Sequence, residues 1–345
     1  MKKLRWISLY NYPASSFPSN FQPRELGCLE LQFSRQKELW HGYKSLPNLK
    51  ILNLSDSKNL IKTPDIEGLP CLERLILEGC WSLEEIHPSI GYHKRLVYVD
   101  MSVSWTTPRS QVSRSVMCWN LVELPDLPSS IAILKADGCD SLESVGDLSY
   151  YKWLWKVSLW GCYKLIGGER VLHSMLEGNA AKDRFMSVLL PAVEPSSCIF
   201  ARLVTLQLPS NWYSDFSGLL LFLRDHSRGK LSYRIDIKQE TSTYDYSKES
   251  DEDWKQCKYE RVGYVPFNSL RHIPWLNPTY TKNILFQTDK GGLNVELVRS
   301  KNKIVDLNEN PINYSECWDE EYKDAKTFEI MYDSQPSNIR IVWNH

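Results

Sequence analysis

What the sequence lacks narrows its function first. It has no excess charge of either sign: 41 Lys and Arg face 42 Asp and Glu, a formal net charge of -1. That balance gives no global pull toward nucleic acid or an anionic membrane, so any partner is held by a local patch. Long apolar runs are missing as well. The longest, about Leu219–Leu223, falls far short of the roughly 18 residues that a membrane-spanning helix needs. At the N-terminus, Met1-Lys2-Lys3-Leu4-Arg5-Trp6 carries basic residues without the apolar core and cleavage site of a secretory signal. The nine cysteines are scattered without close pairs. This argues against a disulfide framework and against C-x-x-C zinc or redox sites, and for reduced thiols in the cytosol. There is no G-x-x-x-x-G-K-S/T phosphate loop, no G-x-S-x-G elbow and no H-E-x-x-H helix. The expectation is a chain with no cofactor, no metal and no catalytic residues.

What is present is periodic. Matches to L-x-x-L-x-L-x-x-N/C-x-L begin at Leu4, Leu26, Leu49, Leu72, Leu96, Ile131 and Leu154, at intervals of 22, 23, 23, 24, 35 and 23 residues. All but one interval falls in the range of about 20–29 residues of a leucine-rich repeat. A single unit cannot bury its apolar face, whereas stacked units share one core. The N/C position falls on Ser57, Cys80, Cys139 and Cys162, the thiols each following a glycine. These predict a stacked structural ladder of small groups bonded to turn backbone. The long interval holds the polar segment Ser104–Ser115, with Arg109 and Arg114, expected to be an insertion loop. No capping unit precedes Leu4, from which a longer parent chain is expected.

Past Leu165 the period ends. Val171–Gly178 reads as a short helix stopped by glycine. Nine aromatic and β-branched runs follow, at Met186–Leu190, Leu203–Leu208, Leu219–Leu223, Leu231–Ile237, Lys258–Val265, Asn283–Gln287, Leu293–Arg299, Thr327–Tyr332 and Ile339–Trp343. Such punctuation predicts a β-sandwich. The fold expected is thus an α/β leucine-rich repeat solenoid over 1–166, a helical connection over 167–184 and an all-β sandwich over 185–345. Glu240–Glu260, with seven carboxylates and three lysines, and Glu316–Asp324 read as solvated acidic loops.

Leu46–Asp65 and Leu83–Gly91 resemble the repeats of plant intracellular immune receptors of the Toll/interleukin-1-receptor nucleotide-binding leucine-rich repeat class. Leu4-Arg-Trp-Ile, Tyr12-Pro13, Phe17–Phe21 and Leu39-Trp40 are similar to an early repeat of such an array, and Leu127–Ile131 with Asp137–Ser144 to its closing ones. Leu190-Pro191, Leu206–Tyr213 and Phe216–Leu221 resemble the C-terminal jelly-roll/immunoglobulin-like (C-JID) domain of the same class. Ala192 departs from it, since a glycine commonly follows that Leu-Pro. The resemblance implies a role in plant defence and innate immunity: binding a pathogen effector or a modified host protein, and so releasing nucleotide-binding and NAD-cleaving domains absent from this chain. It further implies a cytoplasmic location, with the nucleus as a second compartment, and no nucleic-acid partner.

Period-two alternation turns the repeat leucines inward and their neighbours onto the concave face. The outward set comprises Trp6, Ser8, Tyr10, Glu30, Asn53, Arg74, Ile76, Glu78, Tyr98, Asp100, Lys135, Asp137, Lys156, Ser158 and Trp160. Aromatic and Arg side chains supply most interface hot spots. The contact candidates are therefore Trp6, Tyr10, Arg74, Glu78, Tyr98, Asp100, Lys135, Lys156 and Trp160, on a surface closed at one end by the second domain. Replacing Arg74 and Tyr98 with Ala should weaken partner capture without unfolding the chain. Two other readings compete: an autonomous repeat adaptor or decoy, and a hydrolase using Asp225 and His226 with a serine, or Glu84, Glu85 and His87.

Overall fold

Each repeat contributes one short strand, and from the second repeat on that strand carries a buried aliphatic, Leu29 in the second. A computed structural model describes residues 4–13, 20–103, 121–124, 126–180, 182–191, 200–225, 232–239, 259–270, 276, 281–300, 328–332 and 338–344. Two compact units emerge, Met1–Met175 with Val188–Pro191, and Leu176–Ser187 with Ala192–His345.

In the first unit the strands are β1 (Trp6–Tyr10), β2 (Cys28–Gln32), β3 (Ile51–Asn53), β4 (Arg74–Ile76), β5 (Tyr98–Asp100), β6 (Ile133–Lys135) and β7 (Lys156–Ser158). They pair in parallel, in chain order. The register brings Leu29, Leu52, Leu75, Val99, Leu134 and Val157 into one row, none of them more than 1% exposed. Leu54, Leu77 and Leu159 form a second buried row. The 35-residue interval leaves no trace in the ladder, because Val99 still pairs with Leu134. Ser104–Ser115, with Arg109 and Arg114, lies outside the described residues.

The N/C column behaves as a ladder. Ser57 Oγ donates to Leu31 O (3.3 Å), Cys80 Sγ to Leu54 O (3.2 Å), Cys139 Sγ to Met101 O (3.7 Å) and Cys162 Sγ to Ala136 O (3.1 Å). Each small group donates to a carbonyl of the preceding rung, and those of Leu54 and Ala136 accept a backbone N–H as well, from Ser57 and Cys139. The residue before the N/C position is left-handed in six of the seven rungs, the one at β5 excepted: Asn11 (φ 56°), Phe33 (56°), Asp56 (57°), Gly79 (74°), Gly138 (76°) and Gly161 (84°). Glycine meets that demand at no steric cost, and Asn or Asp at little. Phe33 is an outlier for its type.

Helix α1 (Gly168–Ala180) contains the expected helix Val171–Gly178 and runs past it at both ends, so Gly178 does not stop it. Val171, Leu172 and Met175 are buried, the i, i+1, i+4 spacing of a single apolar stripe. The division between the two units falls inside this helix. Val188–Pro191 of β8 (Met186–Pro191) groups with the repeats, where Leu159 N donates to Leu189 O at 2.8 Å.

All nine expected runs are strands. Besides β8 they are β9 (Leu203–Gln207), β10 (Phe216–Arg224), β11 (Tyr233–Gln239), β12 (Tyr259–Pro266), β13 (Asn283–Thr288), β14 (Gly292–Arg299), β15 (Phe328–Tyr332) and β16 (Asn338–Trp343). Within the second unit, β10 is flanked by β12 and β14, both antiparallel to it. A separate five-stranded antiparallel sheet runs β15-β16-β11-β13-β9. Alternate residues of both sheets fill one core: Leu219, Leu221 and Leu223 of β10, Tyr233, Ile235 and Ile237 of β11, and Ile339, Ile341 and Trp343 of β16. A short helix, α2 (Trp212–Asp215), was not expected from the sequence; it buries Trp212.

The acidic run Glu240–Glu260 ends differently from its solvated reading. Glu260 lies in β12 with its side chain fully buried, accepting from Arg224 Nε at 3.1 Å. An arginine from the neighbouring strand compensates its charge. The rest of that run up to residue 258, and Glu316–Asp324, lie outside the described residues.

Candidate functional site

Parallel register arranges the outward side chains of the repeat strands as a grid. One row runs Trp6, Cys28, Ile51, Arg74, Tyr98, Ile133, Lys156. The next runs Ser8, Glu30, Asn53, Ile76, Asp100, Lys135, Ser158. Cys28, Ile51 and Ile133 belong to the first row although sequence reasoning passed over them. Counting two residues back from each central buried aliphatic's neighbour would have found them.

Exposure divides this grid sharply. Trp6 (56%) and Tyr10 (65%) are open. Arg74, Glu78, Lys135 and Trp160 are partly covered. Tyr98, Asp100 and Lys156, expected to face solvent, are buried instead, as are Asn53, Ile76 and Ser158. Alternation fixes which way a side chain leaves the strand, but rungs under 5 Å apart let neighbours close over it. Tyr98 is the clearest case. Arg74 lies over its ring at 4.5 Å and Lys135 at 5.6 Å, an arrangement favoured by the negative face of the π-system.

The central rungs are stitched by polar contacts. Tyr98 Oη donates to Asp100 Oδ2 at 2.8 Å, and Ser102 N donates to Asp100 Oδ1 at 3.0 Å. Lys135 Nζ lies 3.8 Å from Asp100 Oδ2. Burial, then the adjacent Asp100 charge, pushes the Tyr98 phenol far above its ordinary range, so it remains a donor. Asp137 Oδ1 accepts from Ser158 Oγ (2.6 Å) and Trp160 N (2.8 Å). Desolvation raises its carboxyl above the usual range despite these two bonds, which act the other way.

At the open corner, Trp6 Nε1 donates to Glu30 Oε2 at 3.3 Å, and the Tyr10 ring rests against Phe33 with centroids 4.5 Å apart.

Of the hydrolase candidates, Glu84 and Glu85 are exposed and His87 is partly covered. His87 Nδ1 contacts Ser89 Oγ at 2.9 Å and lies 3.9 Å from Asp65 Oδ1. Serine and carboxylate thus crowd one nitrogen, whereas a triad needs them on opposite nitrogens. Asp225 Oδ2 accepts from Tyr233 Oη at 3.1 Å, and His226 lies outside the described residues. Among the described residues no group of three or more His, Cys, Asp or Glu is placed to hold a metal ion. No helix among them is long and apolar enough to cross a membrane.

No protein-family profile matches the chain. Individual proteins do. Disease resistance protein RPV1 of Vitis rotundifolia is 43% identical over 93 residues, 27% of this chain and 7% of its own length. TMV resistance protein N of Nicotiana glutinosa is 34% identical over 145 residues, 42% of this chain and 12% of its own. Disease resistance protein RPS6 of Arabidopsis thaliana is 39% identical over 94 residues, 27% of this chain and 8% of its own. The homologues are plant disease resistance proteins. They are of the Toll/interleukin-1-receptor nucleotide-binding leucine-rich repeat class, matched over a fragment. This chain spans only 7–12% of the length of these three disease resistance relatives. The similarity therefore bears on a stretch of chain and does not carry a whole receptor's activity with it.

Proposed function

We propose that the chain is the non-catalytic protein-recognition region of a plant disease-resistance receptor, acting in the cytoplasm. Residues 1–166 are its repeat solenoid, 167–184 the connection and 185–345 a C-terminal jelly-roll/Ig-like domain. The repeat face and the C-terminal domain each offer surface to a pathogen effector or a modified host protein. The nucleotide-binding and Toll/interleukin-1-receptor domains of a longer receptor read out that binding. The observation that carries this reading is the open end of the strand grid, where Trp6 and Tyr10 stand in solvent on the first rung, whose Leu9 is itself 40% exposed, beside a stack whose leucines are buried from Leu29 onward. Large aromatics left in water on a rigid, in-register face are the common form of an interface anchor.

The buried side chains refine which variants test it. Tyr98→Ala would hollow the packed centre of the face, so its effect on binding mixes with stability. A photo-crosslinking amino acid placed at Glu78 or Trp160, in the chain expressed in challenged plant tissue, avoids that difficulty. Tyr92 and Tyr150, exposed on turns, serve as controls. The expected result is a discrete protein adduct from Glu78 or Trp160 and none from the turns. Adducts only from Tyr92 or Tyr150 would move recognition off this face.

A further inference from the structure

We infer that the corner built from Trp6, Tyr10 and Glu30 receives a lysine or arginine side chain from a basic segment of the partner protein. This rests on the reading of the repeat face as a recognition surface. It names the partner's chemistry at one point of that surface.

Three observations carry it. The first is placement. Register sets Glu30 beside Ser8, with Trp6 and Tyr10 two residues to either side on β1. The carboxylate is thus flanked along the strand by two aromatic side chains, each roughly 7 Å from Ser8 in strand spacing. The second is charge. Glu30 accepts from the Trp6 indole and forms no ion pair among the described residues. Cations farther along the face are already engaged, Arg74 over Tyr98 and Lys135 against Tyr98 and Asp100. An uncompensated carboxylate whose register position is flanked by two aromatic side chains attracts a cation by ion pairing, and an exposed ring face adds to that attraction.

The third observation is preparation. Tyr10 is braced by Phe33, and Phe33 takes the left-handed conformation that glycine fills in three later rungs. That conformation is unfavourable for a bulky side chain. The strained phenylalanine stands at the rung where its ring backs an exposed tyrosine. Trp6 in turn is oriented by its bond to Glu30. A corner whose aromatics are held in place loses little rotamer freedom on binding. A cation suits it, whereas an acidic peptide or a nucleic-acid phosphate would meet Glu30 as a like charge.

The test uses the intact chain labelled with 15N, reading the Trp6 indole N–H by NMR, with Trp6→Phe to assign it. The probes are acetylated tetra-arginine and tetra-glutamate peptides. Tetra-arginine should shift the Trp6 signal saturably. Glu30→Gln, nearly isosteric at a partly exposed position, should raise the midpoint concentration about fivefold to tenfold. Tyr10→Ser should raise it by a smaller factor, and both variants should keep the parent's thermal melt. Tetra-glutamate should leave the signal still. No shift with tetra-arginine, an unchanged midpoint in Glu30→Gln, or an equal response to tetra-glutamate would each overturn the proposal. Crosslinked adducts at Glu78 without a peptide response would remove this inference and leave the recognition surface standing. A peptide response with adducts only from the turns would do the reverse.

Discussion

The two units are held by contacts of very different reach. In the repeats, partners in the ladder lie about one period apart: Leu52 pairs with Leu75 and Leu75 with Val99. In the second unit, β11 pairs with β16 across a hundred residues, Ile235 opposite Ile341, and β10 draws β12 and β14 to its two sides. A solenoid is stabilised unit by unit with nearest-neighbour coupling. A sheet of long-range pairings stands or falls as a whole. Damage should therefore spread through the second unit and stay local in the first.

The largest effect is expected where the second unit buries charge. Arg224 and Glu260 meet at 3.1 Å with side chains 9% and 0% exposed, and Arg224 also lies over the Phe200 ring at 4.3 Å. Glu260→Ala leaves a buried guanidinium without its carboxylate, a loss of roughly 3–5 kcal/mol. Hydrogen exchange should then rise together across β10, β11, β12, β13, β14 and β16 while β2 to β6 keep their protection. Exchange confined to β12 would break the comparison. Leu75→Ala is its counterpart in the repeats, removing a side chain with no exposed surface, at about 2–5 kcal/mol. Here protection should fall at β3, β4 and β5 and survive at β1 and throughout the second unit.

A smaller change sharpens the picture of the rung itself. Gly79 has φ 74°, and a Cβ placed there would meet Asp56 Oδ1 at 2.5 Å. Gly79→Ala combines the left-handed penalty of about 1 kcal/mol or more with a clash across one rung boundary. A melt lowered by less than Leu75→Ala, with exchange rising only at β3 and β4, is the expected outcome. A melt equal to the parent's would mean that the turn relaxes freely.

These contrasts explain which features could be read in advance. The leucine rows and the Gly-Cys turns are visible in sequence because each repeat writes the same local rule again. The nine strands that follow α1 are visible from alternation, since Ile235 and Ile237, or Ile339 and Ile341, repeat every second residue. Which strand pairs with which was not, because no local pattern links Ile235 to Ile341. The candidate site was legible in direction and illegible in cover. Tyr98 leaves its strand on the outward side as alternation requires. That Arg74 and Lys135 close over it depends on side chains 24 and 37 residues away. Glu260 shows the same limit. In sequence it ends an acidic run, and only its pairing with Arg224 reveals a buried ion.

The gentlest way to separate the two units is pH, and it turns on His93. The ring is buried between rungs. Nδ1 accepts from Arg95 N (3.3 Å) and Leu96 N (3.1 Å), and Nε2 lies 2.9 Å from Leu69 O. With both acceptor bonds on Nδ1, the proton belongs on Nε2, donated to Leu69 O. Burial lowers the ring's pKa below its ordinary 6.5, helped by the nearby Arg95 charge and opposed by the bond to Leu69. The unfolded chain therefore binds more protons than the folded one in the window below about pH 6.5, and stability rises with pH there. Its contribution is complete above the unfolded pKa and is lost as pH falls toward the folded one. Protonation would also turn Nδ1 from acceptor to donor and break both backbone bonds. Acidification from pH 7.5 to 5.5 should loosen exchange first at β4 and β5, whose linking turn His93 pins, with the second unit unmoved. His93→Gln should flatten that local response while lowering stability at pH 7.5. A pH response at β4 that persists in His93→Gln would assign the sensitivity to another group, Asp137 excluded. The raised carboxyl of Asp137 acts with the opposite sign, since it favours the fold as pH falls.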